Sequence, residues 1–111
     1  MKSPMKIFGT MDLESLQLPP QLSNAFCVIG TQQQCMQAID YTLSKLESRQ
    51  RVESLILIEP PTPNWQQLHT ITSYGCKIYS YFTESQKVDL QHYQDFAQYS
   101  LVLIINAPHA K

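Results

Sequence analysis

The sequence predicts an α/β fold: a three-layer arrangement in which a mostly parallel sheet of about four strands alternates with crossover helices. Apolar runs of strand length lie at 25–29, 54–58 and 101–105, and a fourth run at 76–82 is rich in aromatic residues. The segments between them show helical periodicity, and this alternation favours parallel strands with right-handed connections. A chain of 111 residues is long enough for one such domain without disulfides or metal.

The first predicted strand, 25–29, meets Gly30, and a helix is expected over about 32–49 with Thr31 as its N-cap. The apolar residues of that helix recur at steps of four, four and three and define one buried stripe: Cys35, Ile39, Leu43 and Leu46. The next strand, 54–58, is apolar throughout, which is typical of a strand buried on both faces of a parallel sheet.

Prolines at 60, 61 and 63 end that second strand, because proline has no N–H to donate to a ladder. Asn64 is expected to cap a helix that contains Trp65, and Gly75 is expected to end it in the left-handed conformation. A further helix is expected over about 88–99, before the last apolar strand.

Two regions are predicted along the chain. Residues 1–22 form a weakly structured N-terminal arm, and residues 23–111 form a single α/β domain. Pro19 and Pro20 exclude a helix at the end of the arm and favour an extended approach to the first strand. Apolar residues of the arm could still dock on the domain.

Charge and hydropathy exclude several classes of function. The net charge of −1 arises from eight lysines and arginines against nine acids, and no basic stripe is visible, so no nucleic-acid partner is expected. Apolar runs reach only about five residues, so no membrane span is expected. The N-terminus lacks a signal-peptide pattern, which favours a cytoplasmic location. Three unpaired cysteines are expected to be reduced and buried.

The turn at Gly30 has the outline of a phosphate-binding turn but lacks its chemistry. Such loops need several glycines and a lysine, whereas the next lysine here is Lys45. The three histidines lie in separate segments without metal-ligand spacing. We therefore expect no cofactor, no metal and no enzymatic activity. An alternative is a small enzyme whose site is assembled from Cys76, His92 and acids.

The segment RVESLILIEPPTPNWQQLHTITSYGCKIYSY, with YSLVL at 99–103, resembles the SulA family of cell-division inhibitors. The parallels, over roughly residues 50 to 105, are the strand at 55–58, Pro60-Pro61, Trp65, Gly75, Lys77 and 99–103. SulA proteins are similar to the RecA core but lack its phosphate loop. The resemblance therefore implies a RecA/SulA-like fold.

The resemblance also implies a function: a non-catalytic division inhibitor of the SOS response to DNA damage, which binds FtsZ and blocks its polymerisation and septum formation. An alternative is a RecA-like accessory or regulatory protein-binding module in DNA-damage tolerance. Exposed tyrosines and an open strand edge also make a homodimer plausible.

Five residues are the candidates for contacts with the partner. The resemblance points to Lys77, to Arg51 and to Ile58, for which a core role is the alternative. Glu59 follows a strand at its carboxyl end, where open α/β sheets usually bind ligands. Trp65 could anchor an interface, since tryptophan often dominates binding energy, or it could pack on the sheet.

Overall fold

The computed structural model describes residues 5–9, 26–83 and 89–105. Its strands are β1 (Met5–Phe8), β2 (Cys27–Thr31), β3 (Ser54–Ile58), β4 (Lys77–Thr83) and β5 (Leu101–Ile105). Its helices are α1 (Cys35–Glu47), preceded by a short 3-10 turn at Gln32–Gln34, α2 (Trp65–Ser73) and α3 (Leu90–Ala97).

The five strands form one sheet in the order β1-β2-β3-β4-β5, and every neighbouring pair is parallel. This confirms the predicted α/β class with a parallel sheet and crossover helices. The sheet has one strand more than the four that the sequence indicated, because Met5–Phe8 pairs with β2. That strand lies inside the predicted arm; residues 10–22 of the arm lie outside the described residues.

The three helices pack on the same face of the sheet. Each connection from β2 onward steps to the next strand in the same direction, so connections of one hand place their helices on one side. Side chains from all three helices accordingly join a single buried cluster with Val28, Leu55, Leu57, Ile78 and Phe82 of the strands.

The opposite face of the sheet carries a second buried apolar cluster. In the part of the chain that the structure describes, it consists of strand residues, namely Cys27, Ile29, Ile56, Ile58, Tyr79 and Tyr81, with Leu103 packed against them. Every residue of β3 is buried, which confirms the prediction from its continuous apolar run. Both faces of the sheet are therefore apolar and buried, and within the described residues all three helices cover one of them.

Local capping agrees with the sequence at α2 but not at α1. The Asn64 side chain accepts a hydrogen bond of 3.0 Å from the Gln66 N–H, and Gly75 has the predicted left-handed backbone, with a φ of 91°. The prediction that Thr31 caps the first helix is wrong. Thr31 is the extended last residue of β2 and makes no capping hydrogen bond, because the 3-10 turn separates it from α1.

Candidate functional site

The carboxyl edge of the sheet, where open α/β sheets usually bind ligands, is closed around Gly30. A Cβ atom at this position would lie 2.6 Å from the Ala38 Cβ and 2.9 Å from the Cys35 Cα, so glycine is what lets α1 approach β2. The Cys35 thiol donates to the carbonyls of Gly30, at 3.3 Å, and Ile58, at 3.6 Å. The turn is therefore filled by close packing between strand and helix.

Glu59 ties the carboxyl ends of three strands together. One carboxylate oxygen accepts from the Gln32 side-chain amide at 2.9 Å, and the other accepts from the Thr83 hydroxyl at 2.5 Å. Its own N–H donates to the Tyr81 carbonyl at 2.7 Å. Both carboxylate oxygens thus accept hydrogen bonds from other residues of the chain, which favours a structural role for Glu59, one of the predicted contact residues.

Ile58 and Trp65, two further predicted contact residues, are packing residues in this structure. Ile58 is completely buried in the second cluster. The Trp65 indole is partly buried and meets the Phe96 ring edge-on at 4.9 Å and the Tyr99 ring in a stacked arrangement at 6.1 Å. It therefore joins α2 to α3.

Arg51 and Lys77, in contrast, lie at the amino edge of the sheet, and both contact Glu53. The Lys77 N–H donates to the Glu53 carbonyl at 3.1 Å, and the Arg51 guanidinium forms an ion pair of 2.5 Å with the Glu53 carboxylate. The Arg51 side chain is 84% exposed. The length of β3, about 17 Å for five residues at 3.3 Å per residue, separates these two residues from Glu59.

Two grooves flank the α2–β4 turn at this amino edge. The first, of about 440 Å³, is lined by Arg49, Arg51, Tyr74 and Gly75 among others, and the Tyr74 ring beside it is 51% exposed. The second, of about 420 Å³, is lined by Lys77, Tyr99 and Leu101 among others. The Leu101 side chain is 58% exposed.

We define the amino-edge surface as Arg49, Arg51, Tyr74, Lys77 and Leu101. Of these five residues, only Arg51 and Lys77 were predicted from the sequence to contact a partner. The pair of arginines in ESRQRVES was a usable signal for Arg49. Tyr74 and Leu101 had none, because the α2–β4 turn and the start of β5 are brought to the same edge only by the fold.

Positive charge is concentrated at this edge. Of the five lysines and arginines that the structure describes, four lie there, with Lys45 in the last turn of α1 joining the three of the amino-edge surface. The fifth, Lys6 on the edge strand β1, lies over the Phe8 ring at 5.4 Å and over the Tyr41 ring at 5.8 Å, and Lys45 also lies over the Tyr41 ring, at 5.3 Å. Glu47 and Glu53 offset part of this charge. The surface is therefore a positively charged one with exposed apolar side chains.

The alternative nucleophilic pair is not brought together. Cys76 precedes β4 at the amino edge, whereas the His92 imidazole lies 3.2 Å from the Pro60 carbonyl oxygen beyond the carboxyl edge. Burial raises the pKa of the Cys76 thiol to about 12, so it is protonated and weakly nucleophilic at neutral pH. Within residues 5–9, 26–83 and 89–105, no group of three His, Cys, Asp or Glu residues could hold a metal ion.

No helix in the described part of the chain has the length and apolar character that crossing a membrane requires. Comparison of the chain with models of protein families, with curated proteins and with solved structures finds no match.

Proposed function

We propose that this chain is a non-catalytic protein-binding domain that presents its amino-edge surface to a protein partner. The observation that carries the proposal is a pair of grooves at this edge: Arg49 and Arg51 line one together with the exposed Tyr74, and Lys77 lines the other together with the exposed Leu101. Arg49, Arg51 and Tyr74 lie in two connections of the fold, Lys77 and Leu101 are the first residues of β4 and β5, and none of the five contributes to the buried clusters.

The composition of this surface suits a protein interface. Tyrosine and arginine are enriched at interfaces, where an aromatic or aliphatic side chain supplies buried apolar area and the flanking cations supply orientation. The linings of the two grooves contain three cations and one acid, Glu53, and this excess of positive charge favours a partner whose contact face is acidic. Such a complex should form faster at low ionic strength and weaken as salt is added.

The partner that the resemblance of residues 50–105 implies is FtsZ. In that case the chain would act as a division inhibitor: by covering one face of a polymerising subunit, it would lower the pool of free subunits and block the interface needed for GTP hydrolysis. No chemistry by the inhibitor is required. FtsZ as the partner is supported by the sequence resemblance alone, whereas the amino-edge surface is supported by the geometry of the fold.

Sedimentation of FtsZ polymers with an equimolar amount of this protein tests the function. We expect less polymer in the pellet and slower GTP hydrolysis, with the effect lost in the double variant Arg51→Glu, Lys77→Glu. Lys6→Glu is the matched control, since it reverses an exposed charge outside the amino-edge surface. Unchanged polymer and unchanged GTP hydrolysis with the wild-type protein would rule out FtsZ as the target.

A further inference from the structure

Within the described residues, the strand β5 forms an apolar edge of the sheet. It is the last strand in the sheet order, and no described strand pairs with its outer side. Its sequence LVLII has no charge and no proline, and the Ile104 side chain is 60% exposed. Edge strands are normally protected by charges, prolines or short length. The other edge follows that rule, because β1 has only four residues and includes Lys6.

We propose that β5 pairs in an antiparallel manner with β5 of a second copy of this chain, across a two-fold axis, to form a continuous ten-stranded sheet. The unpaired N–H and C=O groups of the two edges would satisfy each other. A two-fold pairing uses the same patch on both copies, so an edge without charges meets another edge without charges.

The register with the greatest overlap places the two-fold axis beside Leu103. Leu103 then lies opposite Leu103 of the second copy, and Val102 lies opposite Ile104 of the second copy. An axis perpendicular to the sheet also keeps the helix-bearing faces of both copies on the same side. The exposed Ile104 side chain would be covered by its neighbour.

Charge favours a second copy over the acidic partner proposed for the amino-edge surface. An acidic segment would gain no ionic contact along β5, because this strand carries no cation. Leu101 belongs both to β5 and to the amino-edge surface, so a substitution at that position would affect both proposals. Ile104, near the other end of β5, lies outside the amino-edge surface and therefore tests the pairing alone.

Sedimentation equilibrium of the full chain over a range of concentrations tests the proposal. We expect a monomer–dimer equilibrium whose dissociation constant rises at least tenfold in Ile104→Lys. Ile7→Lys is the matched control, because Ile7 is a 42% exposed isoleucine on the opposite edge strand; its dissociation constant should equal that of the wild type. A circular dichroism spectrum checks that both variants are folded.

The register is tested by Leu103→Cys under mild oxidation. Directly opposed residues of an antiparallel pair have Cα atoms about 4.5–5.5 Å apart, within the range that a disulfide spans. We expect a covalent dimer from this variant and none from Ile7→Cys, while the buried native thiols stay reduced. A protein that remains monomeric at every concentration, a dimer unaffected by Ile104→Lys, or absence of the Leu103→Cys cross-link would overturn the proposal.

Discussion

Gln32 and Glu59 are joined by a side-chain hydrogen bond of 2.9 Å although both have left-handed backbone conformations, with φ values of 51° and 50°. Each residue directly follows a strand, β2 in one case and β3 in the other. Such φ values are uncommon outside glycine and cost roughly 1 kcal/mol or more. The contacts of the Glu59 carboxylate, which also reach Thr83, offset that cost and fix the carboxyl edge.

A pair of substitutions at Glu59 separates backbone strain from the hydrogen bonds. Glu59→Ala removes the carboxylate but keeps a Cβ in the left-handed conformation, whereas Glu59→Gly removes both. We expect Glu59→Ala to lower the free energy of unfolding by about 1–3 kcal/mol, and Glu59→Gly to be about 1 kcal/mol more stable than Glu59→Ala. Urea unfolding of the two variants measures the difference. Equal stabilities would show that the positive φ carries no strain.

Gly30 is needed because α1 packs closely against β2 at this position, so adding a side chain there should lower the stability of the fold. Gly30→Ala would place a Cβ within 3 Å of both the Ala38 Cβ and the Cys35 Cα, so α1 must shift. We expect a loss of about 1–3 kcal/mol in the free energy of unfolding. Ala38→Gly in the same chain should restore only part of it, because the contact with the Cys35 backbone remains.

Gly75→Ala is the control for conformational freedom. A Cβ there meets nothing within 4 Å, yet the φ of 91° disfavours any side chain, so a loss of about 1 kcal/mol is expected. If Gly30→Ala were no more destabilising than this control, or if Ala38→Gly restored full stability, the close approach to the Cys35 backbone would not be what requires glycine at position 30.

The sequence was most informative where burial is continuous. The predicted strands 54–58 and 101–105 coincide with β3 and β5, because uninterrupted apolar runs bounded by polar residues or prolines leave one interpretation. The strand predicted at 25–29 is displaced by two residues to Cys27–Thr31. β1 was missed because a four-residue strand with a lysine carries no periodicity.

The candidate site was harder to predict than the fold. Ile58 and Arg51 are seven positions apart in the sequence, yet β3 places them at opposite edges of the sheet. Arg49, Tyr74 and Leu101 are distant in sequence and are brought to one edge only by the strand order. A surface assembled from loop residues and from the first residues of two strands has no local pattern that would predict it.

Substitutions of Trp65 distinguish packing from partner contact. Trp65→Ala removes the indole between α2 and α3 and should cost about 3 kcal/mol in unfolding free energy, whereas Trp65→Phe should keep the contact with Phe96 and cost about 1 kcal/mol. Because Trp65 is outside the amino-edge surface, folded Trp65→Phe should bind the partner as the wild type does. Full stability of Trp65→Ala with loss of binding would instead place the indole in the interface.

Burial of the thiols predicts a loss of stability in alkaline solution. Burial raises the pKa of Cys35 to about 12, and that of Cys76 equally, from the ordinary value of 9.0. Between pH 9 and 12 the unfolded chain therefore releases protons that the native chain retains, and the free energy of unfolding falls as pH rises, by up to about 1.4 kcal/mol per pH unit for each thiol. Below pH 9 this contribution is constant.

Urea unfolding from pH 7 to 10.5 should show that the free energy of unfolding falls with rising pH. Cys35→Ala should be less stable at pH 7, but its free energy of unfolding should fall less steeply with pH. An identical slope in the variant would mean that the Cys35 thiol ionises as readily in the native state as in the unfolded chain.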